Sequence, residues 1–206
     1  MLTSRNGSSL VVDRLCDRTK GQHTAVTCFY FDFAARKEQT ATSMLGSVLK
    51  QIISGPGRIP GEIWRVLHEQ KGAVCGRKPQ LGDVVKMLQL VTSSQRTFMC
   101  IDAFDECTAL QRFRLLDSLK EILDKSPGAR IFVTGRPHIR SEVETRLSRR
   151  VTSVSVCPTR EDIIHFLRVR LSEDETPDAM DESLEVNILE RIPGSISEMC
   201  VVAMTL

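Results

Sequence analysis

Two short stretches of this chain join an apolar run to a polar cluster, which is how a buried strand delivers reactive groups to the edge of a sheet. The first is Phe98-Met99-Cys100-Ile101-Asp102-Ala103-Phe104-Asp105-Glu106-Cys107. The apolar residues predict a buried strand over Thr97–Ile101, and Asp102 stands where that strand emerges at its carboxyl end, the edge at which open α/β sheets bind ligands. A carboxylate there suits Mg²⁺, a hard cation that takes few protein ligands and keeps several waters. Asp105 and Glu106 follow at a spacing that reaches the same site, where one of them would orient or deprotonate a water attacking a terminal phosphate. A purely structural role competes with this one, because acids ahead of a helix favour the positive end of its dipole. The second stretch is Arg130-Ile131-Phe132-Val133-Thr134-Gly135-Arg136-Pro137-His138. Arg136 would project near the same edge, where its planar fork of donors can stabilise phosphate charge. Its alternative is a surface arginine paired with Asp102 or Asp105. His138 reads as a loop histidine.

These strands need a scaffold. Ser8–Arg18 reads as a short helix with Leu10, Val11 and Leu15 on its apolar stripe. Ala25–Phe33 is rich in β-branched and aromatic residues and predicts a buried strand. Thr40–Ile53 is a helix with Met44, Leu45, Val48, Leu49 and Ile52 on one face. Glu62–Gln70 is a second short helix, Gly72–Pro79 a loop and Leu81–Val91 another amphipathic helix. Leu110–Asp124 is a helix, Arg130–Thr134 a strand, Ile139–Leu147 a helix and Val151–Val156 a strand. Thr159-Arg160-Glu161-Asp162 reads as a capping box opening a helix to Leu171. Ser172–Glu185 reads as a polar surface loop, with helices at Leu184–Arg191 and Ser197–Leu206. Alternating strands and helices predict an α/β layer fold with a mainly parallel sheet.

Taken together the segments resemble a known family. Asp102-Ala103-Phe104-Asp105-Glu106-Cys107 resembles the extended Walker B of NACHT domains in the STAND class of signalling NTPases. Val133-Thr134-Gly135-Arg136-Pro137 resembles their sensor-1 strand, with Gly135 in place of the usual Ser. Cys28–Phe33, Lys37–Thr40 and the Met44-Leu45 helix are similar to the fungal nephrocystin-like subgroup, which often carries ankyrin or other repeats. The resemblance covers roughly residues 8–206. It implies a P-loop NTPase-like three-layer sandwich over 8–157, the start of a helical subdomain over 158–206, and a switch operated by Mg²⁺ with ATP or GTP. In that reading Asp102 positions the metal, Asp105 and Glu106 are catalytic, and Thr134 and Arg136 contact the nucleotide. Protein partners or self-association would carry the signal.

The family's phosphate loop, G-x-x-x-x-G-K-[ST], has no match. Gly72-Ala73-Val74-Cys75-Gly76-Arg77-Lys78-Pro79 has the wrong glycine spacing and a proline where Ser or Thr should bind Mg²⁺. Only seven residues precede the first helix, too few for a strand and loop that need about a dozen. Nucleotide affinity is therefore expected to fall steeply, and hydrolysis to be lost, so that this chain binds either a weakened nucleotide or no cofactor. Loss of the family's first strand, central in the sheet, leaves a gap or direct pairing of its neighbours. The chain reads as a truncated product or as a degenerate, non-enzymatic scaffold module, and the stop inside Cys200–Leu206 points to truncation.

Composition narrows the classes. The 206 residues carry 28 basic and 26 acidic side chains, so neither nucleic acid nor a membrane surface is an expected partner. No apolar run is long enough for a membrane span and no secretion signal opens the chain, so a cytoplasmic protein is expected. The seven cysteines are odd in number and scattered, without C-x-x-C, and most read as reduced thiols packed in apolar surroundings.

Overall fold

The computed structural model describes residues 7–55, 61, 65, 79–147, 151–173, 182–195 and 201–205. Helix α1 spans Gly7–Thr19 and strand β1 Thr24–Tyr30. Helix α2 (Ala41–Ile53) starts where the sequence places it. The Thr40 hydroxyl accepts from the Ser43 N–H at 3.1 Å, and the Thr40 N–H donates to the Ser43 hydroxyl at 2.9 Å. Its buried residues Ala41, Met44, Leu45, Val48, Leu49 and Ile52 recur at helical spacing. Helix α3 (Leu81–Ser94) leads into β2 (Arg96–Asp102), and α4 (Ala109–Lys125) into β3 (Ala129–Gly135). Helix α5 (Arg140–Leu147), β4 (Thr152–Val156), α6 (Arg160–Ser172), α7 (Glu182–Ser195) and β5 (Val201–Thr205) follow. The expected capping box of α6 is present: Thr159 and Asp162 bond each other's N–H at 2.9 and 3.1 Å.

β1, β2 and β3 run parallel, with Thr27 beside Met99 and Met99 beside Ile131. Strand alternation then sorts the faces. Met99, Ile101, Ile131 and Val133 pack with Met44, Leu45, Leu88, Leu115, Leu116, Leu119 and Ile122 of α2, α3 and α4 in one core. Each fully buried side chain of that size contributes about 1.5–3 kcal/mol. Phe98 and Phe132 look the other way, toward Val11 and Leu15 of α1. The result is a P-loop-like three-layer α/β fold. Of the two outcomes open for the centre of the sheet, direct pairing occurs: β2 and β3 are hydrogen-bonded neighbours across 97–101 and 129–133.

The last segment corrects the sequence reading. Ser197–Leu206 is expected to be helical, but residues 201–205 form β5, which lies antiparallel between β3 and β4. An apolar run this short has no period that separates helix from strand. The free backbone groups of β3 and β4 decide the matter by offering a partner on each side. Of the loop expected over Ser172–Glu185, Ser172 belongs to α6 and Glu182–Glu185 to α7, and 174–181 lie outside the described residues. β1 stops three residues before Phe33, where the Asp32 carboxylate accepts the Ala34 N–H at 2.9 Å and turns the chain. The helix expected at Glu62–Gln70 and the loop at Gly72–Pro79 lie, apart from Arg65 and Pro79, outside the described residues. Cys16, Cys28, Cys100 and Cys107 are free thiols, as expected, whereas Cys157 is disulfide-bonded, which apolar surroundings alone do not foretell. Among the described residues no helix is long and apolar enough to cross a membrane.

One sheet edge is closed by a side chain. β1 is terminal among the described strands, and the Cys28 N–H and C=O face its outer edge. Gln51 of α2 takes both: its Oε1 accepts from the Cys28 N–H at 3.0 Å and its Nε2 donates to the Cys28 carbonyl at 2.8 Å. The amide stands in for a neighbouring strand and blocks the edge against pairing with another chain. Replacing Gln51 with Leu, similar in size, leaves both groups without a partner. We expect a loss of about 1–3 kcal/mol in urea unfolding and concentration-dependent growth in light scattering. An unchanged midpoint with no growth would show that the plug is dispensable.

Candidate functional site

β2 carries its apolar residues into the core and releases the chain at Asp102. The next residue, Ala103, adopts a left-handed conformation (φ 54°, ψ 44°), the sole positive φ among the described non-glycine residues. A residue with a Cβ pays of order 1–2 kcal/mol there, so the surroundings must hold it. Three contacts do. The Ala103 N–H donates to the Thr134 hydroxyl at 3.3 Å, and that hydroxyl donates in turn to Asp102 Oδ1. The Ala103 carbonyl accepts the Glu106 N–H at 2.9 Å and starts a short 3₁₀ turn over Phe104–Glu106. Phe104 is fully buried and anchors the turn.

β3 delivers the opposing groups. Its last residues, Thr134 and Gly135, sit beside the end of β2, and the Arg136 N–H donates to Asp105 Oδ1 at 3.2 Å. The Arg136 guanidinium lies 3.4 Å from Asp105 and 3.6 Å from Glu106. The carboxylate of Asp105 is 7% exposed and Arg136 is 67% exposed. The acid is thus fixed, while the arginine reaches it from the solvent side. Gly135 makes this approach possible: a Cβ there would stand 2.5 Å from Ile139 Cδ1 and 3.2 Å from Asp105 Oδ1. The Gly at this point of the sensor-like stretch therefore has a steric reason.

All five residues singled out in the sequence (Asp102, Asp105, Glu106, Thr134, Arg136) converge at this one strand edge. Arg136 pairs with Asp105 and Glu106, and Asp102 is held by Thr134 instead. Asp105 and Glu106 sit in the short 3₁₀ turn ahead of α4, whose own first turn contains no acid, so the structural role of these acids at a helix start stands beside the chemical one. His138 is exposed. Two supporting residues escaped the sequence reading. Ala103 gives no signal because nothing local marks its φ. Arg112 donates to the Cys107 carbonyl at 3.0 Å and to Glu142 at 2.7 Å, which ties the acidic turn to α4 and α5. Desolvation by burial pushes the Cys107 thiol up to about 11 and that of Cys100 up to about 12. Both stay protonated at neutral pH, so neither serves as a nucleophile.

The donor set tests what this edge could hold. Asp102, Asp105 and Glu106 offer hard carboxylate oxygens, the type Mg²⁺ takes. Among the described residues no three such side chains converge to hold a metal ion alone. The residues therefore fit a metal that draws most of its ligands from phosphate and water, with Asp102 as the protein's contribution. They do not fit a whole nucleotide site, because no described segment supplies a run of backbone N–H groups around phosphate.

An α/β protein with a parallel three-stranded core of P-loop-like build, and an acid cluster at its carboxyl edge, is the class that fold and site define. The sequence profile described as nephrocystin 3, N-terminal, matches residues 6–136, and the chain belongs to that family. No curated protein and no solved structure matches it.

Proposed function

We propose that this chain is part of a nucleotide-linked switch domain of the NACHT type in the STAND class, with hydrolysis lost. The observation that carries this reading is the Asp102–Thr134–Ala103 arrangement. A carboxylate at a strand end is fixed by the neighbouring strand, and a strained residue follows it. Strain of this kind gathers at ligand-binding turns. Asp102 would hold Mg²⁺, which when bound neutralises phosphate charge, and Arg136 would turn from Asp105 toward a terminal phosphate. A site in the cytoplasm, attached repeats of the fungal subgroup, and signalling through self-association or protein partners go with this reading.

A second reading, a non-enzymatic scaffold, is favoured by a different observation. β2 and β3 pair directly, so the position between them is filled. One titration separates the two. A fluorescent ATP or GTP analogue is added to the folded chain with and without Mg²⁺. We expect weak, saturable, Mg²⁺-dependent binding that is lost in Asp102→Ala, and no turnover. Absence of binding by a folded sample would make the chain a scaffold. Turnover that disappears in Asp105→Ala would restore the enzyme.

A further inference from the structure

A concave site lies away from the acid cluster, at the opposite end of the same two strands. Val11 and Leu15 of α1 stand over Phe98 of β2 and Phe132 of β3, with Arg96 and Arg130 at the rim, around a groove of about 280 Å³. The placement follows from the sheet. Arg96 and Phe98 alternate onto one face of β2, Arg130 and Phe132 onto the same face of β3, and the register sets Arg130 directly beside Phe98. Phe98 is therefore flanked by both arginines. The Arg96 guanidinium lies 5.1 Å from the centre of its ring. Arg130 is braced by the Pro127 and Ala129 carbonyls, each 2.8 Å from its Nη1, which leaves its other donors open.

The charge at this rim is unbalanced. Among the described residues no acidic side chain lines the groove. Among the described residues neither Arg96 nor Arg130 has an ion-pair partner. The helical period puts Arg14 and Arg18 on the flank of α1 nearer the groove and Asp13 and Asp17 on the side away from it. A pocket with an apolar floor and a few convergent polar groups is the usual form of a small-molecule site. Here the floor is aromatic and the polar groups are two cations a strand apart.

We propose that this groove binds a small amphipathic carboxylate, a single short acyl chain lying on Phe98 and Phe132 with its carboxylate between Arg96 and Arg130. The volume, just under the roughly 300 Å³ at the low end of ligand pockets, sets the size class. Guanidinium–carboxylate bonds are charge-assisted and geometrically matched, which sets the head group.

The test uses decanoate below its micellar concentration, followed by calorimetry and amide NMR of the whole chain. We expect one saturable site, with shifts centred on Val11, Leu15, Phe98 and Phe132. The Arg96→Gln/Arg130→Gln variant should bind at least about tenfold more weakly, as should decanol on the native chain. Both arginines are exposed, so the variant should keep its fold, and far-UV circular dichroism checks this. The single variant Arg96→Gln gives an intermediate loss and serves if the double variant does not fold. Equal affinity for decanoate and decanol, or an affinity unchanged in the variants, would overturn the proposal. Association with anionic lipid vesicles without saturable decanoate binding would overturn it as well.

Discussion

Phe104→Ala should cost about 3–5 kcal/mol of unfolding free energy, the range for removing a fully buried aromatic ring. Phe104 is 0% exposed and opens the 3₁₀ turn that carries Asp105 and Glu106. Its ring centre lies 6.0 Å from that of Phe31, which meets Phe29 edge-on at 5.0 Å. The substitution therefore removes one member of an aromatic row joining the acidic turn to β1. For a chain of this length the loss corresponds to a fall of roughly 6–20 °C in melting temperature. Phe104→Leu keeps most of the volume and should cost well under half as much. Urea unfolding of the two variants measures the difference. Should Phe104→Ala cost under about 1 kcal/mol, the turn is not packed into the core, and the fixed geometry of Asp105 would fall with it.

Thr134→Val comes next, at about 2–3 kcal/mol. The swap keeps the shape and removes the hydroxyl. That hydroxyl, on a residue 6% exposed, is donor to the Asp102 carboxylate and acceptor for the Ala103 N–H. Bonds to a charged group are worth more than neutral ones, and an orphaned N–H adds its own penalty. The strained φ of Ala103 loses a tether at the same time. Native-state hydrogen exchange at Ala103 should speed up selectively. A double-mutant cycle with Asp102→Asn should return a coupling of about 1 kcal/mol or more. Additive costs would mean that the two side chains do not act as a unit.

Much of the architecture was legible in the chain itself. The 3.6-residue recurrence from Met44 to Ile52, the Thr159 cap, and the apolar runs into Asp102 and Thr134 each specify an element through contacts a few residues apart. The site was legible in outline for the same reason: an apolar run that ends in acids places those acids at a sheet edge wherever the strand lies. The partners were not legible. Whether Arg136 met Asp102 or Asp105 depended on how the ends of β2 and β3 come together.

The sequence by itself determined the helices from α1 to α6, the strands β1 to β4 and the acidic end of β2, because hydrophobic period and capping are local properties of the chain. Only the tertiary structure decided that β2 and β3 pair directly, that residues 201–205 enter the sheet between β3 and β4, and that Gln51 closes the β1 edge. These are outcomes of long-range competition for backbone hydrogen bonds. A strand carries unpaired N–H and C=O groups on both sides, and the partner that satisfies them is set by what else the fold brings within reach.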